Sequence, residues 1–160
     1  MTLFAGPSTW GVAPACFAGI AVRPPARRGD IDRLLEGAAA PAVVILCDGV
    51  FQNVPAVSHA ELCRAIDAGW QVWGVSSLGA IRAFELRDEG MRGFGEVAAM
   101  FEQFEDFTDD EMCLLHYPEA PWFPVSEALV NVRYALHQRQ RDLGISDEAA
   151  ALLLGELRAL

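Results

Sequence analysis

Ala42-Val43-Val44-Ile45-Leu46-Cys47, halted by Asp48-Gly49, is the stretch that decides the fold of this chain. An unbroken apolar run rich in β-branched residues is the pattern of a central strand buried on both faces, as in a parallel sheet. Asp48-Gly49 is a turn signal. Residues 70–75 read as the next strand and stop at Ser76-Ser77. Between the two runs stands Ser58-His59-Ala60-Glu61, a capping box in which serine and glutamate each satisfy a free backbone N–H. The helix it opens places Leu62, Ala65 and Ile66 on one face and stops at Gly69. Strand, helix, strand spells a parallel pair joined by a right-handed crossover.

Working outward, residues 2–5 read as a first strand ending in the turn Gly6-Pro7-Ser8-Thr9. Arg23-Pro24-Pro25 must be extended, because proline disfavours helix in the residue before it. Asp30 is placed to cap a short helix over 31–36. Downstream, the pattern predicts a helix over 78–86, a glycine-rich turn over 90–95, a helix over 96–104 and a strand over 112–116. Ser126 opens a helix to about residue 143, and Ser146 opens a last one. The fold class is therefore α/β: a small, mostly parallel central sheet with flanking helices and a helical C-terminal part.

Composition narrows the function. The chain has 160 residues, 52% of them hydrophobic, which suits one domain over 1–160 with a sizeable core. All 12 basic residues are arginines, so a Walker-type phosphate loop, a Schiff-base lysine and a Ser–Lys dyad are impossible within it. The 22 acidic residues bring the formal net charge to −10, which repels nucleic acid and anionic membrane. The 4 cysteines form no C-x-x-C pair. The uncharged start is broken by Gly6, Pro7, Gly11 and Pro14 and lacks a basic beginning, so neither a span nor a signal peptide is read there. The expected compartment is the cytoplasm, with no cofactor.

Both turns that follow the strands, Asp48-Gly49 and Ser76-Ser77, should lie at the carboxyl edge of the sheet, where open α/β sheets build ligand sites. His59 and Glu61 begin the intervening helix and return from that edge. Ser77, or its neighbour Ser76, is a nucleophile candidate, its hydroxyl near free N–H groups at a helix start that can hold an oxyanion. Its bland alternative is a helix cap, and Gly74-Val75-Ser76-Ser77-Leu78-Gly79 does not fit G-x-S-x-G. His59 is a general-base candidate or a surface histidine. Asp48 is a turn residue or an acid that orients another side chain. Arg82 and Glu85 form a local ion pair, or Arg82 binds a carboxylate in the cleft. Cys47 is a core residue, with a persulfide carrier as the sharper alternative. Between Arg92 and Arg133 lie nine acids and no base, read as a solvated or partner-docking face. Within it, a tight set such as Asp109-Asp110-Glu111 could hold Mg²⁺, and no metal site is assigned. Arg23, Arg27, Arg28 and Arg33 form an opposing basic patch.

In order along about the first 135 residues, several segments resemble the TfuA-like family. They are Phe4-Ala5-Gly6-Pro7-Ser8, Pro24-Pro25-Ala26-Arg27-Arg28-Gly29-Asp30 and Asp48-Gly49-Val50-Phe51. Next come Val54-Pro55-Ala56-Val57-Ser58-His59-Ala60-Glu61-Leu62 and Gly74-Val75-Ser76-Ser77-Leu78-Gly79-Ala80-Ile81-Arg82-Ala83-Phe84-Glu85-Leu86. Gly90-Met91-Arg92-Gly93-Phe94-Gly95, Asp109-Asp110-Glu111 and Ser126-Glu127-Ala128-Leu129-Val130-Asn131-Val132-Arg133 complete the set, leaving 136–160 as a helical extension.

The resemblance implies a partner of a YcaO enzyme, which activates a peptide-backbone amide with ATP so that sulfur replaces its oxygen. It implies two roles: recruiting the peptide substrate, and hydrolysing a thiocarboxylated ubiquitin-like sulfur carrier at a hydrolase-like Ser–Lys site. By motif the serine is Ser77 or Ser76, with Asp48 and His59 beside it and Arg82, Glu85, Glu61 and Gly79 on the substrate side. The family's lysine position is Ala60 here, so the nucleophile needs another base, with His59 one candidate and a water held by Asp48 another. A non-catalytic adaptor that docks on YcaO is the alternative.

Overall fold

The computed structural model describes residues 1–50 and 54–159, so Phe51 of the Asp48–Phe51 motif lies outside the described residues. Five strands, β1 (Thr2–Phe4), β2 (Ala21–Arg23), β3 (Val43–Leu46), β4 (Gln71–Gly74) and β5 (Arg92–Gly93), form one sheet in the order β2-β1-β3-β4-β5. Every neighbouring pair is parallel. Six α-helices accompany it: α1 (Asp30–Glu36), α2 (His59–Asp67), α3 (Ser77–Glu85), α4 (Glu96–Gln103), α5 (Leu129–Arg139) and α6 (Asp147–Arg158). The chain is α/β, with helices at its C-terminus.

Side-chain alternation along the strands separates two apolar layers. Phe4, Val44, Leu46 and Val72 face Ile31, Leu34, Leu62, Ala65, Leu78 and Ile81 of α1, α2 and α3. Leu3, Ala5 and Cys47 face the other way, with Phe17, Ile20, Ile45 and Val75 packed against them. Full burial of β3 on both faces is not what the structure shows: Val44 and Leu46 are buried, Val43 and Ile45 only half-buried. The reason is the β1–β2 connection, which holds short 3-10 turns at Pro7–Thr9 and Pro14–Phe17 instead of a covering helix.

The capping box of α2 forms in both directions, with the Glu61 N–H donating to Ser58 Oγ (3.3 Å) and the Ser58 N–H to Glu61 Oε1 (3.1 Å). Other boundaries move. Asp30 does not cap α1: Gly29, at φ +86°, takes that place, and Asp30 Oδ2 accepts from the Arg27 N–H at 2.7 Å. Residues 112–116 are not a strand among the described elements. A 3-10 turn over Asp109–Met112 ends there, and His116 pairs with Pro124 only as an isolated antiparallel bridge. Ser126 closes that loop, its Oγ accepting the Leu115 N–H at 2.7 Å, and the N-cap position of α5 falls to Ala128. Consequently α5 starts at Leu129; it ends at Arg139, and Gly144 at φ +67° terminates the turns that follow.

The acidic stretch is not wholly a solvated face. Glu111 is buried against Arg133, whose Nε and Nη2 donate to its two oxygens at 2.8 and 2.7 Å. Arg133 also reaches both oxygens of Asp106, at 3.1 and 2.9 Å. Arg158 of α6 donates to the Asp106 carbonyl at 2.9 Å and to Glu111. These bonds raise Arg133 above the usual guanidinium range, with Glu111 the largest cause. Among the described residues no group of three or more His, Cys, Asp or Glu side chains is placed to hold a metal, and no helix is long and apolar enough to cross a membrane.

Candidate functional site

The strand order puts a topological switch point between β1 and β3, where neighbouring connections leave in opposite directions and open a crevice at the strands' carboxyl ends. One carboxylate spans it. Asp48, 2% exposed, follows β3; its Oδ2 accepts the N–H groups of Gly6 (2.7 Å) and Ser8 (3.2 Å), and its Oδ1 accepts the Ser8 hydroxyl at 2.6 Å. Asp48 therefore fixes the turn after β1 to the end of β3.

At the end of β4 the chain bends sharply into α3. Ser76 is the N-cap with extended backbone (φ −159°) and makes no side-chain cap bond. Ser77 has φ +45°, one of two non-glycine residues with positive φ among those described. That region costs an L-residue roughly 1–2 kcal/mol, and such strain gathers at functional turns. Two glycines permit the bend. A Cβ on Gly74 would overlap the Gly79 carbonyl oxygen, and a Cβ on Gly79 would overlap the Leu46 carbonyl oxygen. The result is a sharp strand-to-helix turn with a serine at positive φ, without the G-x-S-x-G spacing. Gly79 acts here through close packing of α3 on β3, with its N–H bonded to the Cys47 carbonyl at 3.1 Å.

Ser77 lines two adjoining cavities. The larger, about 600 Å³, is bounded among the described residues by Pro24, Pro25, Arg27, Asp48, Gly49, Ser77, His116, Glu119 and Trp122. The smaller, about 260 Å³, takes in Ser8, Trp10, Ser76, Ser77, Ser126 and Asn131. Pro7, Met112 and Leu114 belong to both walls. Gly49 touches the start of α3, since a Cβ there would overlap Leu78 Cδ2 and stand 3.2 Å from Leu78 Cβ. Among the described residues, the N–H groups of Ser77, Leu78 and Gly49 have no hydrogen-bond partner, and neither has the Ser77 hydroxyl.

Of the polar groups expected at this edge, the structure puts Asp48 and Ser77 on the larger cavity and Ser76 with Ser77 on the smaller, and directs the others elsewhere. His59 lines neither cavity; its Nε2 lies 2.7 Å from Glu85 Oε2 on the exposed flank of α2 and α3. Arg82 donates from Nε to the Val57 carbonyl (3.2 Å) and from Nη1 to Glu85 (2.5 Å), so its partners are internal. Burial alone would raise Glu85, but hydrogen bonds from His59 and Arg82 hold its carboxyl below the usual range. Glu61 is 1% exposed, its Oε1 accepting the Ser58 hydroxyl at 2.8 Å and its Oε2 the Gly29 N–H at 2.6 Å. It ties α2 to the loop that carries Arg27. Cys47 is buried, and that burial, with the Asp48 charge second, pushes its thiol well above the usual range, opposite to what a reactive thiolate needs.

Sequence reasoning passed over His116. Its Nδ1 lies 2.6 Å from the Tyr117 carbonyl oxygen, which can only accept, so Nδ1 is the donor and Nε2 is the ring nitrogen left for another partner. No local pattern marks this residue, because only the fold of residues 113–126 over the sheet edge brings it to the cavity that Ser77 lines.

A search of curated proteins finds no match. A family model described as TfuA-like protein matches residues 48–160, a span that holds Asp48, Ser77 and His116. The segments at 4–8 and 24–30, which contribute Pro7, Pro24, Pro25 and Arg27 to the larger cavity, precede it. With that match over more than half its length, the chain belongs to the TfuA-like family.

Proposed function

We propose that this TfuA-like protein serves a YcaO enzyme in ATP-dependent backbone thioamidation, releasing sulfur from a thiocarboxylated ubiquitin-like carrier at Ser77. The observation that carries this reading is the φ of +45° at Ser77, on a bend facing a cavity of about 600 Å³. In this reading Ser77 Oγ attacks the thiocarboxylate carbonyl carbon and its proton passes to His116 Nε2, directly or through one water. The oxyanion accepts from the Leu78 and Gly49 N–H groups. The C–S bond breaks, sulfide leaves with the proton, and water then hydrolyses the acyl-serine to a carrier carboxylate. His116 takes the place assigned earlier to His59, which Glu85 engages, and stands in for the lysine this chain lacks. Asp48 holds the turn that forms the wall between the cavities. Arg82, Glu85, Glu61 and Gly79 support the site from behind instead of touching substrate.

Sulfide release from a thiocarboxylated carrier tests the proposal. Ser77→Ala should abolish it, and His116→Gln should slow it about 10²-fold, the lower end for general-base help. Equal rates in wild type and Ser77→Ala remove the serine from the mechanism. One observation favours the second reading, a docking adaptor for YcaO and its peptide: the Ser77 hydroxyl has no hydrogen-bonded base among the described residues. Tighter peptide binding by the YcaO enzyme in the presence of a Ser77→Ala protein, with no sulfide release by the wild type, decides for it.

A further inference from the structure

The larger cavity holds few charges, and they are unequal. Asp48 spends both oxygens on Gly6 and Ser8. Glu119 shares the wall but forms no ion pair with an arginine among the described residues. Arg27 is the one arginine among the described lining residues, and its guanidinium makes no hydrogen bond or ion pair there. By contrast, Arg33, Arg64, Arg82 and Arg133 are all committed to carboxylates.

The backbone around Arg27 is held at four consecutive N–H groups and one carbonyl. The Ala26 N–H donates to the Asp48 carbonyl (2.9 Å), and the Ala26 carbonyl accepts the Val50 N–H (3.0 Å). The Arg27 N–H donates to Asp30 (2.7 Å), the Arg28 N–H to the Pro55 carbonyl (3.1 Å) and the Gly29 N–H to buried Glu61 (2.6 Å). A cation with spare donors on a fixed loop, facing an apolar cavity, is pre-organised for an anion. The guanidinium fork matches a planar two-oxygen or oxygen–sulfur group.

Resting on the reading of the Ser77 site above, we propose that Arg27 is the anion-binding residue of that cavity and selects ligands ending in a carboxylate or thiocarboxylate. Such a group is the one whose carbonyl carbon must lie near Ser77 Oγ, so the same contact that binds also positions. Glu119 opposes it and limits affinity for the carboxylate product.

Binding separates this inference from the hydrolysis reading. N-acetylglycylglycine and its C-terminal amide, two short probes that differ in the terminal charge, are titrated into the full-length Ser77→Ala protein and followed by NMR. The acid should bind about tenfold more tightly than the amide. Arg27→Gln should erase that preference and Arg27→Lys keep part of it. Arg28→Ala, next door but outside the cavity wall, should leave it intact, and Glu119→Gln should enlarge it. A preference that survives Arg27→Gln, or its absence in the parent, overturns the proposal. Should Ser77→Ala release sulfide as fast as wild type while the Arg27-dependent preference holds, only the hydrolysis reading falls. Should sulfide release depend on Ser77 while Arg27→Gln leaves KM unchanged, only this inference falls.

Discussion

Asp48 and Gly6 are joined across the crevice between β3 and β1 by a buried 2.7 Å hydrogen bond from backbone N–H to carboxylate. It is the shortest of the Asp48 bonds to the backbone of the turn that walls both cavities. Asp48→Ala leaves two N–H groups without this partner and should cost about 2–3 kcal/mol of stability. Asp48→Asn keeps the shape, its amide oxygen facing the two N–H groups and its NH2 donating to the Ser8 hydroxyl oxygen, but loses the charge, and should cost about half of that. Urea denaturation of the two variants measures both, and equal stability in all three proteins would contradict the bridging role.

At Ser77 the backbone and the hydroxyl make opposite demands. Alanine removes the oxygen and keeps the strained φ, whereas glycine removes the oxygen and the strain together. Ser77→Gly should therefore be about 1 kcal/mol more stable than Ser77→Ala, with neither releasing sulfide. Thermal unfolding compares them, and the reverse order would remove the case for strain at this bend.

Gly74→Ala and Gly79→Ala force a methyl into a backbone carbonyl, with no flexible side chain to give way. Each should lose about 3 kcal/mol, the upper end for overpacking. Gly155, which has nothing within 4 Å of its Cβ direction, is the control: Gly155→Ala in α6 should gain up to about 1 kcal/mol.

Arg133 and Glu111 are 5% and 0% exposed at their side chains, so removing either leaves the other buried with only its second partner, Arg158 for Glu111 and Asp106 for Arg133. Arg133→Met alone should cost about 3 kcal/mol, the lower end for a broken buried pair because Arg158 still meets Glu111, and the double variant with Glu111→Leu should recover most of it. A double-mutant cycle by chemical denaturation gives the coupling directly.

Acid titration reads the exposed half of the same network. Hydrogen bonds from Arg133 hold Asp106 below the ordinary carboxylate range, and Glu85 is held low by His59 and Arg82 against its burial. A folded value below the unfolded one means stability that is present above about pH 4 and is lost as pH falls through the folded value. Asp106→Asn with Glu85→Gln should flatten that acid limb of the stability curve. Unchanged steepness would assign the limb to other carboxylates.

The features legible in the sequence were those governed by neighbours along the chain. Ser58 and Glu61 stand three apart and cap α2 as their spacing requires, and the apolar runs at 42–47 and 70–75 became adjacent parallel strands. What escaped depended on partners distant in sequence. Ser126 looked like a helix start until Leu115, 11 residues away, claimed its hydroxyl. Glu111 looked like surface charge until Arg133, 22 residues on, buried it. His59 and Asp48 both sit near the expected edge, yet nothing local says that Glu85 takes the first and Gly6 and Ser8 the second. His116 carries no motif at all.

The doorway position of Ser77 has a pharmacological corollary. Because one hydroxyl borders both hollows, an electrophile that captures it needs only a modest scaffold to stopper the two at once. A covalent reagent built in two arms, a broad apolar one and a slim polar one, would report by its preferred orientation which hollow receives the acyl portion and which the leaving group.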